Sequence, residues 1–189
     1  MLLTKPHFDE TIERCLRGDQ RAQMEIYRKY YKAMYNTALR IVQDPAEAED
    51  IMQESFLNAF SKIASFKGNA TFGSWLKRIV INNSLSAHKK NNKFSQVSYE
   101  EHFRDSVEPD EYLEGLTTLE VSENNASQIL KAINGLKENY RVLLNLHFIE
   151  GYDYEEICQI LSISSASCRT SISRAKESLR KTLMPYETV

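Results

Sequence analysis

YEEICQILSISSASCRTSISRAKESLRKTL, Tyr154 to Leu183, decides the fold class of this chain. A short helix carrying Ile157, Ile160 and Leu161 on one side is followed by the break Ser162-Ile163-Ser164. Ser164 or Ser165 can cap a second, longer helix. In that helix Cys168, Ile172, Ala175, Leu179 and Leu183 recur at helical spacing and predict a buried stripe. Arg169, Thr170, Ser173 and Arg174 fall on another face. Arginine reaches guanine edges or phosphates, and serine or threonine follows the backbone, so this face suits a DNA major groove. The pattern is a helix-turn-helix.

Working outward, the totals fit a soluble globular protein. The chain has 189 residues, enough for one domain or two small ones, and is 42% hydrophobic and 26% charged. Its formal charge of -2 and pI near 6.1 are unusual for a protein that grips DNA alone, because neutralising phosphates supplies most non-specific affinity. The charge is segregated instead. Lys77, Arg78, Lys89, Lys90 and Lys93 form a basic block. Glu100, Glu101, Asp105, Glu108, Asp110, Glu111, Glu114 and Glu120 form an acidic one, and the segment from Arg169 to Lys181 is basic again.

Helical periodicity dominates the rest of the chain. A short helix is expected from Phe8 to Leu16, stopped at Gly18-Asp19. A long one follows through Tyr27, Tyr30, Met34, Ala38 and Val42. Asp44-Pro45 opens the next as cap and first helical residue, with Ala48, Ile51, Met52, Phe56, Ala59, Phe60 and Ile63 on its core side. Residues 66 to 69 read as a loop, and a fourth helix runs from about Thr71 to Lys89. Between about Ser95 and Ser122 the period dissolves into an acidic stretch with Pro109 and Gly115, read as a flexible linker. Helical spacing resumes near Glu123, with Ile129, Leu130, Ile133 and Leu136 on one helix. Tyr140, Leu143, Leu144 and His147 lie on the next, which Gly151 ends. The fold class is therefore all-α: two helical domains joined by a flexible acidic linker, the second with the helix-turn-helix.

Other chemistries find no support. Glu47, Asp50 and Glu54 share a helix face, but no histidine stands three residues after a glutamate to complete a carboxylate metal site. An acidic partner-binding or solvated face is the reading. His7, His88, His102 and His147 are scattered without zinc or Cys-His spacing, and no glycine-rich phosphate loop exists. No catalytic residues, metal or cofactor are expected. Cys15, Cys158 and Cys168 make no paired spacing and read as reduced thiols of a cytoplasmic protein. The N-terminus carries no cleavage pattern, and no run approaches the ~20 apolar residues of a membrane span.

The segment from Phe66 to Lys93 interleaves Phe66, Phe72 and Trp75 with Lys67, Lys77, Arg78, Asn82, Asn83, Lys89 and Lys90. Aromatic faces can stack unpaired bases while cations hold the backbone. Phe72 and Trp75 equally suit a core. Arg78 and Asn82, polar and one turn apart, are the better candidates for nucleic-acid contact.

With these residues placed, the chain resembles a bacterial extracytoplasmic-function (group 4) RNA polymerase sigma factor from about Leu16 to Leu183. AEAEDIMQESFLNAF, Ala46 to Phe60, resembles the family's core-polymerase-binding helix. TFGSWLKRIVINNSL, Thr71 to Leu85, resembles its promoter −10 helix. LKENYRVLLNLHFIEGYDYEEICQILSIS, Leu136 to Ser164, and SRAKESLRKTL, Ser173 to Leu183, resemble its promoter −35 domain. The resemblance implies a region 2 domain over residues 1–94, a linker over 95–122 and a region 4 domain over 123–189.

It further implies that Asp50, Gln53, Glu54 and Phe56 contact core RNA polymerase. Phe66, Lys67, Arg78 and Asn82 would handle the −10 element and promoter melting, and Arg169, Thr170, Ser171, Ser173 and Arg174 would read the −35 duplex. Family members commonly pair with an anti-sigma factor, although no residue here specifies one. The chain departs from the family at Ala166-Ser167-Cys168, where Gly-Thr-Val is usual, at Ser171, where a basic residue is common, and at Ser86, where aspartate is frequent. Asn91 and Asn92 thin the basic run after the −10 helix. The alternative is a stand-alone helix-turn-helix transcriptional regulator, which would have no need of the Ala46 to Phe60 helix.

Overall fold

The computed structural model of the chain describes residues 9–91 and 123–183, with side-chain environments given for 9–88 and 126–183. The expected linker, 95–122, lies outside the described residues, as do His7, His102 and Lys93. The chain divides into two compact units between Lys93 and Phe94. Among the described residues every regular element is helical.

In the first unit, α1 spans Glu10–Leu16, α2 Gln20–Val42, α3 Pro45–Ser61 and α4 Phe72–Asn91, with a short 3-10 turn at Ile63–Ser65. Each start has a local cause. The Asp9 carboxylate accepts the Thr11 amide at 3.2 Å. Asp19 accepts the amides of Arg21 and Ala22 at 2.8 and 3.3 Å, satisfying donors that the first turn of α2 leaves open. Asp44 accepts the Glu47 amide at 2.8 Å, and Pro45 takes the first helical position of α3 as its sequence predicts. Thr71 caps α4 by accepting the Ser74 amide at 3.2 Å, so that helix begins one residue later than expected. Gly18, at φ +83°, turns the chain between α1 and α2.

The α2, α3 and α4 helices pack pairwise around Met34, Ala38, Ile51, Phe56, Leu76, Val80 and Ile81. Burying a Leu, Ile or Phe side chain stabilises by roughly 1.5–3 kcal/mol, so this stripe, not intrinsic propensity, holds the helices. Gly73 lets α4 approach α2 closely: a Cβ there would stand 2.9 Å from the Tyr30 ring. The buried hydroxyls of Ser55 and Ser84 donate to the carbonyls of Ile51 and Val80, which keeps them satisfied inside the core. Asn83 turns inward and donates to the Ser55 hydroxyl at 2.9 Å, a polar link between α4 and α3.

In the second unit, α5 spans Glu123–Asn134 and α6 Glu138–Leu144, which runs on into a π-type turn at Asn145–Ile149. The helix-turn-helix follows as α7, Tyr154–Leu161, and α8, Ser165–Leu183. The π turn departs from the regular helix expected there. Glu150 donates its amide to the Asn145 carbonyl at 2.9 Å, and Gly151 at φ +80° ends the segment. Leu136 lies just past α5 and still joins the cluster of Ala132, Ile133, Leu144, Ala175 and Leu179. Leu130, on the same helix, is 37% exposed.

Candidate docking and DNA-reading surfaces

The turn of the helix-turn-helix is built by reciprocal hydrogen bonds. Asp153 accepts the Glu156 amide at 2.8 Å, and the Glu156 carboxylate accepts the Asp153 amide at 3.0 Å, a complete capping box for α7. Ser162 takes the left-handed conformation, φ 56° and ψ 45°, and ends α7 where glycine is commoner. Ile163 then buries itself in the core. Ser164 is the cap of α8: its hydroxyl accepts the Ser167 amide at 3.2 Å and donates to the Ser167 hydroxyl at 2.9 Å.

Along α8 the expected stripe of Cys168, Ile172, Ala175 and Leu179 is buried, with Leu183 packed at its edge. Arg169, Thr170 and Ser173 are exposed and Arg174 is half-buried. The Thr170 hydroxyl donates back to the Ala166 carbonyl at 3.0 Å, leaving its oxygen free to accept. Ser171, expected on the reading face, is 3% exposed and lies on the flank of the core stripe. The helical period explains this: position 171 lies one turn from Cys168 and Ala175, and four residues of spacing bring it beside that packed row. Glu177 pairs with Arg180 and Lys181, so the single acid in the segment is locally neutralised.

In the first unit, α3 presents Asp50, Gln53 and Glu54 to solvent. Gln53 donates to Glu49 at 3.2 Å along the same helix. Phe56, expected among these contacts, is 2% exposed and packs its ring 4.9 Å from that of Tyr27 and 6.0 Å from that of Phe60. The apolar residue on the outer face is Leu57, 71% exposed. At 100° per residue Leu57 stands between the directions of Asp50, Gln53 and Glu54 and opposite the buried row of Ala48, Met52, Ser55 and Ala59. Its signal in the sequence is negative: it is the one large apolar residue of QESFLNAF out of register with the core stripe.

The segment between α3 and α4 folds around an aromatic triad. Phe66 meets Phe72 edge-on at 5.5 Å and Trp75 at 5.4 Å, and Phe72 and Trp75 are themselves 5.4 Å apart. Phe66 and Phe72 are buried and Trp75 is half-buried. Phe66, expected to touch DNA, therefore anchors the loop from inside, while the adjacent Lys67 is exposed. On α4 Asn82 is exposed and Arg78, one turn earlier, is half-buried.

Electrostatics are perturbed at few places. Arg14 holds the Asp19 carboxyl below its usual range through a 2.8 Å ion pair, aided by the amides Asp19 caps. Burial pushes the Cys168 thiol up to about 12. Among the described residues no three His, Cys, Asp or Glu side chains gather as metal ligands would, and no helix is long and apolar enough to cross a membrane.

These surfaces define a class: a two-unit helical protein with a helix-turn-helix in one unit and, in the other, a helix whose exposed face is acidic and partly apolar. Residues 26–94 match the model of Sigma-70 region 2, and residues 126–179 match that of Sigma-70 region 4. The chain is 31% identical to the RNA polymerase sigma-H factor of Pseudomonas aeruginosa, covering 97% of each protein. It is also 31% identical to the ECF RNA polymerase sigma factor SigW of Bacillus subtilis, over 91% of this chain and 94% of that one. Two solved structures share the fold. One is the sigma factor RpoE of Bartonella quintana in complex with the anti-sigma factor NepR (TM-score 0.57, 20% identity, 85% of this chain and 96% of that one). The other is CnrH in complex with the cytosolic domain of CnrY (TM-score 0.55, 18% identity, 93% and 96%). The chain belongs to the extracytoplasmic-function sigma factors of bacterial RNA polymerase. It is a promoter-specificity subunit, and the stand-alone regulator is not favoured.

Proposed function

We propose that α3 docks this chain on core RNA polymerase through Asp50, Gln53, Glu54 and Leu57, without catalysis of its own. The observation that carries the reading is Leu57, 71% exposed in the middle of an acidic and amide face. An apolar side chain ringed by polar ones is the pattern of an interface centre, where a few desolvated anchors supply most of the affinity. Phe56 supports the same face from behind by fixing α3 against α2.

Lys67, Arg78 and Asn82 handle the −10 element in this reading, and the Phe66-Phe72-Trp75 packing holds the Lys67 loop in place beside them. Trapping an unstacked base costs roughly a few kcal/mol, which the loop and α4 contacts must offset during melting. Arg169, Thr170, Ser173 and Arg174 read the −35 element in the major groove. Ser171 serves the α8 core instead, so the family's basic position contributes no cation here. A chain of pI near 6.1 grips free DNA weakly. Two weak readers in one polypeptide gain affinity by effective concentration once polymerase holds both at the promoter. An anti-sigma factor is the further partner, by analogy with the sigma factor RpoE of Bartonella quintana in complex with NepR.

The test is a pull-down with core polymerase followed by initiation assays. Wild-type chain is expected to bind core and to direct initiation at a cognate promoter. Asn82→Ala should slow opening on duplex and be partly rescued by a pre-melted bubble. Equal defects on both templates would count against the melting role.

A further inference from the structure

Two of the three cysteines stand on the two helices of the helix-turn-helix. Cys158 stands in the middle of α7 and Cys168 in the first turn of α8. The Cys168 sulfur lies 3.8 Å from the Tyr154 carbonyl oxygen. In a helix, residue 158 sits directly over residue 154, so that contact brings the Cys168 sulfur alongside the Cys158 side chain. Burial first, and then the neighbouring Cys158, hold Cys168 in its protonated form. Access is one-sided. Cys168 is fully buried, whereas Cys158 is partly exposed. The third cysteine, Cys15, is buried in the other unit.

We propose that Cys158 and Cys168 form a thiol-oxidation site, at which a peroxide joins them in a disulfide bridging the two helices of the helix-turn-helix. The Cys158 thiolate, reachable from solvent, attacks a peroxide oxygen. The O–O bond breaks, and the departing oxygen leaves as water after taking a proton. Cys158 is then a sulfenic acid. The Cys168 sulfur attacks it, the S–O bond breaks, and the released hydroxide carries off the Cys168 proton as a second water. Two thiols are oxidised by two electrons and one hydrogen peroxide is reduced to two waters. A dithiol reverses the step.

The bond has a mechanical consequence. Disulfide sulfurs stand about 2.05 Å apart, closer than two thiols in contact, so α7 and α8 must draw together or rotate. Arg169 and Thr170 directly follow Cys168 on α8. Their aim at a base edge shifts with it. This consequence rests on the proposed −35 role of α8, whereas the chemical step does not.

The experiment treats the full chain with hydrogen peroxide, blocks remaining thiols and digests with trypsin. No Lys or Arg separates Val142 from Arg169, so one peptide, residues 142–169, carries both cysteines. That peptide is expected to emerge lighter by two hydrogens and without the thiol label, and to regain the label after dithiothreitol. Oxidised chain should bind −35 duplex, in the presence of core polymerase, about tenfold less well, the worth of one base contact. Cys158→Ala, at a partly exposed helical site, should keep full binding after peroxide. Cys15→Ala should respond as wild type does. A peptide that stays fully labelled, or a bond formed only between chains, overturns the site. A complete disulfide with unchanged −35 binding overturns its regulatory effect. If reduced wild-type chain shows no dependence on −35 sequence, the failure belongs to the −35 assignment and not to the thiol chemistry.

Discussion

The two units hold a solvent-facing helix in place by different means. In the first, long helices α2, α3 and α4 pack along their lengths, and the exposed faces of α3 and α4 point away from a continuous core. Geometry there is over-determined by many contacts. In the second, α6 and α7 are short, and the aim of α8 depends on a capping box, a left-handed serine and the contact at Cys168. Short helices are marginal without such local devices. Surface changes in the first unit should therefore alter binding and spare stability, while small internal changes in the second should alter both.

The largest expected break of that contrast comes from Ile172, 1% exposed beneath the reading face. Ile172→Ala should destabilise the second unit by roughly 2–5 kcal/mol through the cavity it leaves. Urea unfolding followed by hydrogen exchange should show the loss confined to residues 126–183. A uniform loss across both units would mean that they do not unfold independently. Next in size, Arg174→Ala should weaken −35 binding by ~1–3 kcal/mol if the guanidinium meets a base edge. Loss spread equally over all promoter sequences would reassign it to phosphate.

Asp153→Ala removes half of the capping box and should cost about 1 kcal/mol in the second unit. Asp44→Ala should cost a similar amount at α3, by the same assay, but leave the docking face in place. If both caps proved equally damaging to DNA reading and polymerase docking, the contrast between the units would be lost.

Smallest near neutral pH, and growing only in alkali, is an effect of ionisation. Burial raises the Cys168 thiol from its ordinary 9.0 to about 12, so the folded state holds this proton more tightly than the unfolded chain. That contribution to stability is fully present below about pH 9 and is lost as pH rises toward 12. Cys168→Val, close in size and without a proton to lose, should flatten the alkaline limb of the second unit's stability curve. An unchanged limb would show that other groups govern it.

Much of this organisation is legible in the residues because its causes are local. Asp44-Pro45 announces the start of α3, and the spacing of Cys168, Ile172, Ala175 and Leu179 announces the face of α8 that packs. What escaped the sequence depends on neighbours distant in the chain. Phe66 looks like a contact residue until Phe72 and Trp75 are found around it, whereas for Phe56 the helical period already gives the core side that Tyr27 covers. Asn83 looks as available as Asn82 until its amide is seen on Ser55. Leu57 is the converse, a hydrophobic residue out of register with the core stripe that the fold leaves in solvent. The π turn at Asn145–Ile149 leaves no mark in the hydrophobic period, because inserting one residue into a turn moves few side chains off the core.

The central claim is that α3 docks on polymerase around an exposed leucine. Leu57→Glu keeps helix propensity and touches no core residue, so its melting curve should match wild type. Its affinity for core RNA polymerase, measured by titration against wild type, is the direct test. A loss of about 2 kcal/mol, roughly thirtyfold, with the fold intact is the predicted result. Undiminished binding by Leu57→Glu, or no binding of core by the wild-type chain, would contradict it.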